Sequence, residues 1–442
     1  MEAIKRLFRL DEKSTTVGRE AAAGVTTFAA MSYIIFVQPA VLGAAGMDFG
    51  AVMTATCLAS AAATLAMGLL ADYPIALAPA MGHNFFFSFT VVAAMGLPWR
   101  TALGAVFVSG VLFIALSLFH FRERLVNTIP EGLKHAIAAG IGLLIALAGL
   151  EWAGIVVDAP GTYVGLGSLH SPPVLLSLLG LAVTAALLAL RVRTAVLLGM
   201  AVTVAAGLAT GLIEYRGLVS APPSLAPTFL ELDIRGALGT GLLSVIFVFF
   251  FLDLFDTVGT LIGVGDEAGF IKDGRLPRAR RAFLADALGT VTGALLGTST
   301  VTSYIESAAG VSAGGRSGLA SCFTAALFVA ALFFSPLVEM VGGGIESGGA
   351  RLYPVVAPVL IVVGSLMCRG AARIRWDDPT EALPAFLTMI MMPVTFSITE
   401  GIAFGIISHT LMKTAAGRRG EVEPLMALFA LLFVLRYALL RG

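Results

Sequence analysis

Charge is scarce in this chain. Only 13% of its 442 residues are Asp, Glu, Lys or Arg, and the 28 basic residues balance the 28 acidic ones, so the formal net charge is zero. A chain without net charge has no overall field that would attract nucleic acid. Cysteine is also rare: Cys57, Cys322 and Cys368 lie in apolar surroundings without the spacing of metal ligands. This pattern argues against both a metal site and a disulfide framework.

Apolar residues are what the chain has in excess. Hydrophobic residues make up 58% of it, and its mean hydropathy is +0.93. Such values lie outside the range of soluble domains and are typical of a polytopic membrane protein surrounded by a lipid bilayer. Residues 1–20 are charged and amphipathic but lack a cleavable signal pattern. We expect them to lie on the membrane surface.

The apolar residues fall into fourteen segments. Several are shorter than the roughly 20 residues that a membrane-crossing helix needs. The third and the tenth are short, polar and broken. The segments run over 21–43, 50–70, 76–95, 101–119, 133–150, 173–190, 194–213, 240–265, 283–296, 298–314, 317–338, 354–368, 381–396 and 398–413.

The distribution of Lys and Arg predicts the orientation. Basic residues cluster in the N-terminal tail and after every even-numbered segment, whereas the odd-numbered exits hold only Arg100, Arg216, Arg235 and Arg351. Cytoplasmic loops carry the excess of Lys and Arg. We therefore expect fourteen spans in the cell membrane, with both termini in the cytoplasm.

The last apolar stretch, 424–440, leaves two possibilities. It is long enough for a fifteenth span. Arg436 within it and the basic end after it favour a helix at the membrane interface instead.

Segment 10 contains the most unusual stretch, GTSTVTSYIESAAG at 297–310. Its run of β-branched and hydroxyl residues at 298–303 resists helix formation, while the residues from Glu306 onward favour it. We predict a short extended piece and then a half-helix whose N-terminus lies inside the protein. Irregular backbone at membrane depth is tolerated only where it is buried in protein or lines a cavity. In transporters it marks the binding site.

Segment 3 repeats this form. Residues 76–85 predict a short extended piece followed by a half-helix, and Asn84 lies in this turn much as Glu306 lies in segment 10. The two residues are about half the chain apart. Because each half holds seven spans, an odd number, the halves must be inverted relative to each other. The predicted fold is therefore an all-α membrane protein of two inverted seven-segment repeats.

Segment 8 carries a polar stripe. Asp253, Asp256, Thr257 and Thr260 follow the i, i+3, i+4, i+7 spacing of one helix face. A charge at the centre of a bilayer costs about 2.5–3.5 kcal/mol on insertion scales, so two carboxylates in one span need an explanation. They bind substrate and protons, or one of them braces a neighbouring broken helix.

Other polar residues near the broken segments have two interpretations each. Glu306 binds a ligand and a proton, or it caps the half-helix. Asn84 binds a heterocycle or satisfies the broken backbone. His83 is a proton relay or a local hydrogen-bonding group. Tyr304 stacks on a planar ligand or belongs to the apolar core.

Together these stretches resemble the nucleobase–ascorbate transporter superfamily, in particular its AzgA-like purine permease branch. The matching stretches are TTFAAMSYIIFVQPA at 26–40, APAMGHNFFFSFTVV at 78–92, FLDLFDTVGTLIGVG at 251–265, GTSTVTSYIESAAGVSAGGRSGLA at 297–320 and PAFLTMIMMPVTFSITEGIAFG at 384–405.

The resemblance implies proton-coupled uptake of hypoxanthine, guanine or adenine, with no cofactor other than the coupling protons, and often a homodimer. It implies a transporter and not an enzyme. It also implies a core domain, which carries the site, and a gate domain. The core domain covers 1–125 and 238–345, and the gate domain covers 130–235 and 350–442.

The resemblance further implies roles for individual residues. Asn84, Asp253 and Glu306 match the family's binding residues, and Asp256 matches a second important acid. We add Thr257 and Tyr304 as substrate neighbours. The chain departs from the family pattern in two places. One is Ala80, where Gly is usual. The other is His83, where a small or apolar residue is usual.

The acids are also candidates for proton coupling: Asp253, Glu306 and Asp256. A helix N-terminus stabilises negative charge, which favours an ionised Glu306. Asp253 lies among apolar neighbours, and burial there favours its neutral form. We therefore expect Asp253 to carry the coupled proton.

Two alternatives remain within transport. One is a uracil or xanthine symporter of a sister branch. The other is an anion transporter of the sulfate-permease type, which shares paired half-helices but would have its anion repelled by three carboxylates. An intramembrane enzyme is disfavoured because the sequence offers neither a catalytic dyad with water access nor a set of metal ligands.

Overall fold

Helices account for most of the structure. The computed structural model describes residues 2–118, 130–159, 161–239, 242–271, 276–347 and 349–439. The helices are α1 (Glu2–Leu7), α2 (Val17–Met31), α3 (Tyr33–Gly43), α4 (Phe49–Ala66), α5 (Met81–Phe85), α6 (Trp99–Leu118), α7 (Glu131–Trp152), α8 (Pro172–Ala189), α9 (Ala195–Ala209), α10 (Ile234–Ala237), α11 (Leu243–Glu267), α12 (Ala279–Leu296), α13 (Ser307–Ser312), α14 (Gly318–Ala331), α15 (Ser335–Gly342), α16 (Val356–Met367), α17 (Pro379–Thr395), α18 (Ile398–Ala415) and α19 (Pro424–Leu439).

Two helices change their winding. α4 continues as a π-helix over Met67–Ala71, and α5 continues as a π-helix over Phe86–Ala94. Because α5 itself is only five residues long, most of segment 3 beyond its strand is wider than an α-helix. π-helical stretches are rare and occur frequently at functional sites.

Eight helical stretches among the described residues are long and apolar enough to cross a membrane. They are Val17–Gly43, Phe49–Ala71, Trp99–Ser117, Glu131–Trp152, Pro172–Ala189, Leu243–Glu267, Gly318–Gly342 and Val356–Arg373. This confirms a polytopic, helical membrane protein. The remaining predicted segments are shorter, broken or more polar, so the total of fourteen spans stays a prediction.

Within the described residues, six short strands form three two-stranded sheets. The pair that matters for the site joins β1 (Leu77–Pro79) to β4 (Val301–Ser303), antiparallel, with Ala78 opposite Thr302. The others join β2 (Val156–Ala159) to β3 (Tyr163–Leu166) and β5 (Ile345–Ser347) to β6 (Ala350–Leu352).

The β1–β4 pair confirms the predicted broken segments. Each strand is followed by a short helix, α5 after β1 and α13 after β4. The pairing is reinforced at both ends because Ala80 N–H donates to the Thr300 carbonyl and Tyr304 N–H donates to the Ala76 carbonyl, each at 2.9 Å. The two broken backbones therefore satisfy one another's polar groups at membrane depth.

The sequence predicted that Asn84 and Glu306 occupy equivalent positions in the two broken segments, and the structure shows that they do not. They begin at Met81 and Ser307, so Glu306 corresponds to Ala80, the residue just before its helix. Asn84 lies a turn later, inside α5, and its backbone N–H donates to the Ala80 carbonyl. Asn84 is thus not a turn residue, and the two halves place different side chains at their equivalent positions.

The chain divides into two compact units. The first comprises Met1–Leu118 and Trp152–Val359, and the second comprises Phe119–Glu151 and Leu360–Gly442. Both broken segments and every residue predicted for the site belong to the first unit. The division into core and gate domains at the boundaries given above stays a prediction.

The second unit contains a helical hairpin of α17 and α18. The chain reverses at Phe396, which adopts a left-handed conformation with φ of 48°. At the open end of the hairpin Lys413 is only 1% exposed, and its Nζ lies 2.7 Å from Glu381 and 2.8 Å from Glu421. Arg418 pairs there with Asp378 at 2.7 Å. Hydrogen bonds from Arg418 and Lys413 lower the pKa of Glu421 to about 2, and hydrogen bonds from Thr380 and Arg418 hold the pKa of Asp378 below its usual range.

Candidate functional site

Asp286 on α12 is the acid that braces β4. Its Oδ1 accepts hydrogen bonds from the backbone N–H of Ser303 at 2.8 Å and from the Ser303 hydroxyl at 2.7 Å. Its Oδ2 accepts from Thr257 of α11 at 2.7 Å, and Thr257 also lies 2.9 Å from the Thr302 hydroxyl. Several donors converge on this one buried carboxylate. The sequence allowed one acid of segment 8 to brace a neighbouring broken helix. In the structure this bracing acid is Asp286, which lies on segment 9.

Asp253 lies next to this brace. It is 1% exposed, and its Oδ2 accepts from the Thr290 hydroxyl at 2.9 Å. Thr290 also lies 3.1 Å from the Val301 carbonyl of β4. The second oxygen of Asp253 accepts no hydrogen bond from any residue in the described part of the chain. The carboxyl groups of Asp286 and Asp253 interact electrostatically.

Two neighbouring buried carboxyl groups cannot both be charged without a large cost. Asp286 has the donors that stabilise a carboxylate, whereas Asp253 has one hydroxyl donor and a free oxygen. The arrangement therefore favours an ionised Asp286 and a protonated Asp253.

Glu306 and Asp256 face open space instead. Glu306 is half-buried at the start of α13, and Asp256 on α11 is exposed. The Glu306 side chain makes no capping hydrogen bond to the first turn of α13. It accepts a hydrogen bond from the Tyr33 hydroxyl at 2.7 Å. The capping interpretation of Glu306 therefore fails, and its carboxylate is held in place by a side chain of α3.

The amide of Asn84 is fixed by Ser299, a residue just before β4. Its Oδ1 accepts a short hydrogen bond from the Ser299 hydroxyl. Ser299 also lies 3.1 Å from Gln38 Nε2, which donates to Thr298 at 2.9 Å. Asn84 is fully buried, and its Nδ2 has no protein partner among the residues that the structure describes. The amide therefore keeps a donor that no atom of the described residues uses.

The remaining predicted residues have local partners. His83 is buried and hydrogen-bonded to the backbone of Phe249, as expected of a local hydrogen-bonding group. The Tyr304 hydroxyl donates to the Pro79 carbonyl at 2.5 Å, which ties α13's leading turn to β1. Thr257 is engaged with Asp286.

Three contributors were missed in the sequence, namely Asp286, Gln38 and Tyr33. Asp286 had the signal that singled out Asp253, a carboxylate inside an apolar segment, but it stands near the start of segment 9, where a charge is easily assigned to the membrane edge. Gln38 and Tyr33 lie in an apolar run of α3 in which every residue from 33 to 42 is buried. Nothing in that run marks which face meets the site.

The site thus has three parts. The carboxylates of Glu306 and Asp256 lie at an open face, the amide of Asn84 is buried, and Asp253 and Asp286 form a buried pair of acids. Carboxylates accept N–H donors, and the amide supplies a donor and an acceptor. A small neutral molecule with a donor and acceptor edge fits this set better than an anion, because Glu306 and Asp256 would repel a negative charge. These are the features of a transporter that binds a polar uncharged solute.

Comparison with known proteins identifies the class. A model described as the permease family matches residues 18–404, so the protein is a membrane permease and not an enzyme. Within that class, the chain belongs to the nucleobase–ascorbate transporter superfamily, as its motifs indicated.

Relatives match over the whole chain. The guanine/hypoxanthine permease PbuG of Bacillus subtilis is 46% identical over 99% of this chain and 100% of its own length. The adenine permease AdeP of Escherichia coli is 45% identical over 98% of this chain and 95% of its own length.

A solved structure supports the fold. The transmembrane domain of the cyanobacterial bicarbonate transporter BicA matches 88% of this chain and 97% of its own with a TM-score of 0.63 at 13% identity. At that identity the likeness concerns the fold alone. It confirms the predicted fold class of inverted repeats with broken helices.

Proposed function

We propose that this protein imports purine nucleobases together with protons. The observation that carries the proposal is the placement of the acids: Glu306, held by Tyr33, at an open face, and Asp253 buried beside Asp286. The names of the relatives, which are adenine and guanine/hypoxanthine permeases, point to the same substrate class.

Glu306 and Asn84 are the binding residues in this proposal. Purine bases present ring N–H groups beside ring nitrogens or carbonyl oxygens. The Glu306 carboxylate accepts from ring N–H groups, and the free amide of Asn84 donates to an acceptor on the base. Asp256, exposed on the same open face and interacting electrostatically with Glu306, receives the base first.

Asp253 carries the coupled proton. Its partner Asp286 is held by Thr257, Thr302 and Ser303 in an arrangement that favours the carboxylate. Binding of a base changes the charge balance around Glu306. When Asp253 is neutral, Asp286 is the one charged member of the buried pair, which lowers the cost of burying the pair while the transporter changes conformation. Alternating access then moves base and proton together.

Three further expectations belong to this proposal. The basic loops face the cytoplasm, the protein resides in the cell membrane, and it forms a homodimer as the family resemblance implies. Chemical cross-linking of the membrane-embedded protein tests the dimer.

Uptake measurement tests the function. Cells lacking purine transporters and expressing this protein should accumulate radiolabelled hypoxanthine in a saturable way, and a protonophore should abolish accumulation. A panel of unlabelled adenine, guanine, hypoxanthine, xanthine and uracil identifies the preferred base. Accumulation that survives the protonophore would contradict proton coupling, and uptake of sulfate but of no base would contradict the proposal as a whole.

A further inference from the structure

A cavity of about 560 Å³ lies at the end of α3 away from the site. Its walls are the last turns of α3 together with residues 47–50, Arg216, Glu339, Gly342, Gly343, Arg351 and Tyr353. A smaller cavity of about 260 Å³ shares Arg216, Glu339, Gly343 and Arg351 with it. We call the larger one the outer cavity. Its volume lies within the roughly 300–1,000 Å³ of small-molecule sites.

α3 connects the outer cavity with the site. Tyr33 at its first residue holds Glu306, and Gly43 at its last residue lines the cavity. A helix rises about 1.5 Å per residue, so the two ends are roughly 15 Å apart. The other walls follow segments 7 and 11, which are odd-numbered exits like that of segment 1. The outer cavity is therefore on the side that the positive-inside rule places outside the cell.

The charges of the outer cavity cancel. Arg216 Nη1 lies 3.3 Å from Glu339 Oε2. Arg351 Nε donates to the Gly343 carbonyl at 2.9 Å, and Asp48 supplies a second acid on the wall. Two cations and two anions give no net charge. Such a wall suits a neutral polar molecule better than an ion.

Its chemistry matches a purine base. A guanidinium fork matches the adjacent O6 and N7 acceptors of guanine or hypoxanthine, and a carboxylate accepts from the N–H groups of these bases. Arg216 and Glu339 present both groups side by side. Tyr353 adds an aromatic ring, held in place because it packs on Trp152 with ring centroids 4.4 Å apart. Aromatic rings stack on bases without regard to their identity.

We propose that the outer cavity is a second, weaker purine-base site, which supplies the base to the site at Glu306. This inference rests on the proposed function. It predicts two base sites in one chain, one recognised through Glu306 and the other through Arg216, Glu339 and Tyr353.

Binding to variants of the purified protein separates the sites. Saturation-transfer NMR with hypoxanthine should still detect weak binding to Glu306→Gln. That residual signal should vanish when Arg216→Gln and Tyr353→Ala are added. The matched controls are Arg100→Gln, whose arginine pairs with Glu231 at 2.7 Å, and Tyr163→Ala on the exposed strand β3. Added to Glu306→Gln, these should leave the residual signal unchanged.

Transport gives a second readout. Arg216→Gln or Tyr353→Ala alone should raise the KM for hypoxanthine uptake by about fivefold or more, with kcat unchanged. If wild type imports hypoxanthine while Glu306→Gln binds none and Tyr353→Ala keeps the wild-type KM, the second site does not exist and the proposed function stands. If wild type imports no base, both fail.

A second inference concerns α19 in the second unit and rests on a separate observation. α19 runs antiparallel to α18. Beyond the end of α18, Lys413 and Arg418 bind Glu421, shortly before α19 begins. Near the start of α18, Glu400 accepts from Arg436 at 2.9 Å and from the Tyr437 hydroxyl, both close to the end of α19. The two helices therefore lie side by side over nearly their whole lengths.

The surface of α19 is apolar and not amphipathic. Its side chains from Leu425 to Leu435 include no charge. Five of them are strongly exposed, namely Leu428, Leu431, Leu432, Val434 and Leu435. A helix at the membrane interface needs a polar face toward water, which this stretch lacks. Its single cation, Arg436, is paired with Glu400, which makes a charge near the bilayer tolerable.

We infer that α19, which at 16 residues is about as short as its neighbours α17 and α18, crosses the bilayer beside α18, with lipid against its leucine face. This takes up the fifteenth span, which the sequence left as the weaker alternative because of Arg436 within it and the basic end after it. The C-terminal end of α19 then lies on the opposite side of the membrane from Arg418.

Cysteine labelling tests this inference in whole cells. In a variant with Cys57, Cys322 and Cys368 replaced by Ser, Gly442→Cys should react with an impermeant maleimide on intact cells. Arg418→Cys should react only after the cells are opened. Equal reactivity of the two positions on intact cells, or a Gly442→Cys that reacts only after opening, would overturn the inference. Folding of each variant is checked by hypoxanthine uptake and by its yield in the membrane.

Discussion

Asp253 and Asp256 stand one turn apart on α11, yet only Asp253 is closed off from solvent. Asp256 is exposed on the open face of the site, while Asp253 lies among the side chains of α12 and β4. Two identical side chains on one helix therefore have different surroundings. Such a difference is how proteins assign different tasks to like acids.

Glu306→Gln should abolish high-affinity purine binding and leave only the weak binding assigned above to the outer cavity. The amide keeps the shape of the side chain but turns one acceptor oxygen into a donor, which would face the N–H groups of the base and the Tyr33 hydroxyl. Equilibrium binding of radiolabelled hypoxanthine to the purified protein measures this. Binding of near wild-type affinity at any pH between 5 and 8 would remove Glu306 from the site.

Asp253→Asn should keep binding and lose accumulation. The amide imitates the protonated acid and cannot release its proton. We expect a dissociation constant within about threefold of wild type and active counterflow, but no uptake against a gradient. If Asp253→Asn still concentrates hypoxanthine while Glu306→Gln binds normally and only exchanges, the roles of the two acids are reversed.

Tyr33→Phe should weaken binding without unfolding the protein. The lost hydroxyl fixes the Glu306 carboxylate at 2.7 Å, and a hydrogen bond to a charged group contributes about 1.5–3 kcal/mol. We expect the dissociation constant for hypoxanthine to rise about tenfold. Tyr73→Phe is the matched control, because its hydroxyl donates to the Pro277 carbonyl, away from the site. An equal effect of both changes would mean that Tyr33 acts only through general stability.

Asp286→Asn should destabilise the protein. Its carboxylate accepts from Thr257, from the Ser303 hydroxyl and from the Ser303 backbone. An amide turns a donor toward these donors, and each buried group left unsatisfied costs about 1–3 kcal/mol. The melting temperature in detergent should fall by about 5 °C or more. Asp256→Asn, at an exposed position, should stay within about 1 °C of wild type. Equal melting temperatures would show that Asp286 does not brace β4.

The two membrane faces should differ in labelling. Cysteines at Arg278 and Arg418 should react with an impermeant reagent only in opened cells, and cysteines at Arg216 and Arg351 should react in intact ones. Labelling of Arg278→Cys on intact cells would invert the topology.

Patterns with a strong local cause were predictable from the sequence. The β-branched run before Ser303 and the helix-favouring residues after Glu306 act over a few residues, so the extended piece and the half-helix were found correctly. The polar stripe of α11 follows from helix geometry alone. The β1–β4 register did not follow, because pairing between strands more than 200 residues apart is fixed by tertiary contacts, and Asn84 was placed in a turn as a result.

Partners across helices were the part that sequence could not supply. Asp286 was a visible acid, but its function depends on facing Ser303 and Thr257 at once. Tyr33 and Gln38 are indistinguishable from core residues until α3 is seen beside β4 and α13. Local patterns identify which residues are unusual, whereas the choice between binding and bracing requires the distances.

The three-residue pairing of β1 with β4 has a consequence for the ancestry of the site. Each strand takes its hydrogen-bond partners from the other half of the chain, so neither half alone could keep its backbone polar groups satisfied at membrane depth. A half-length ancestor would have had to pair with an inverted copy of itself and would have carried the same side chains twice. Once the two copies had separate sequences, one could keep a small residue at Ala80 while the other acquired Glu306.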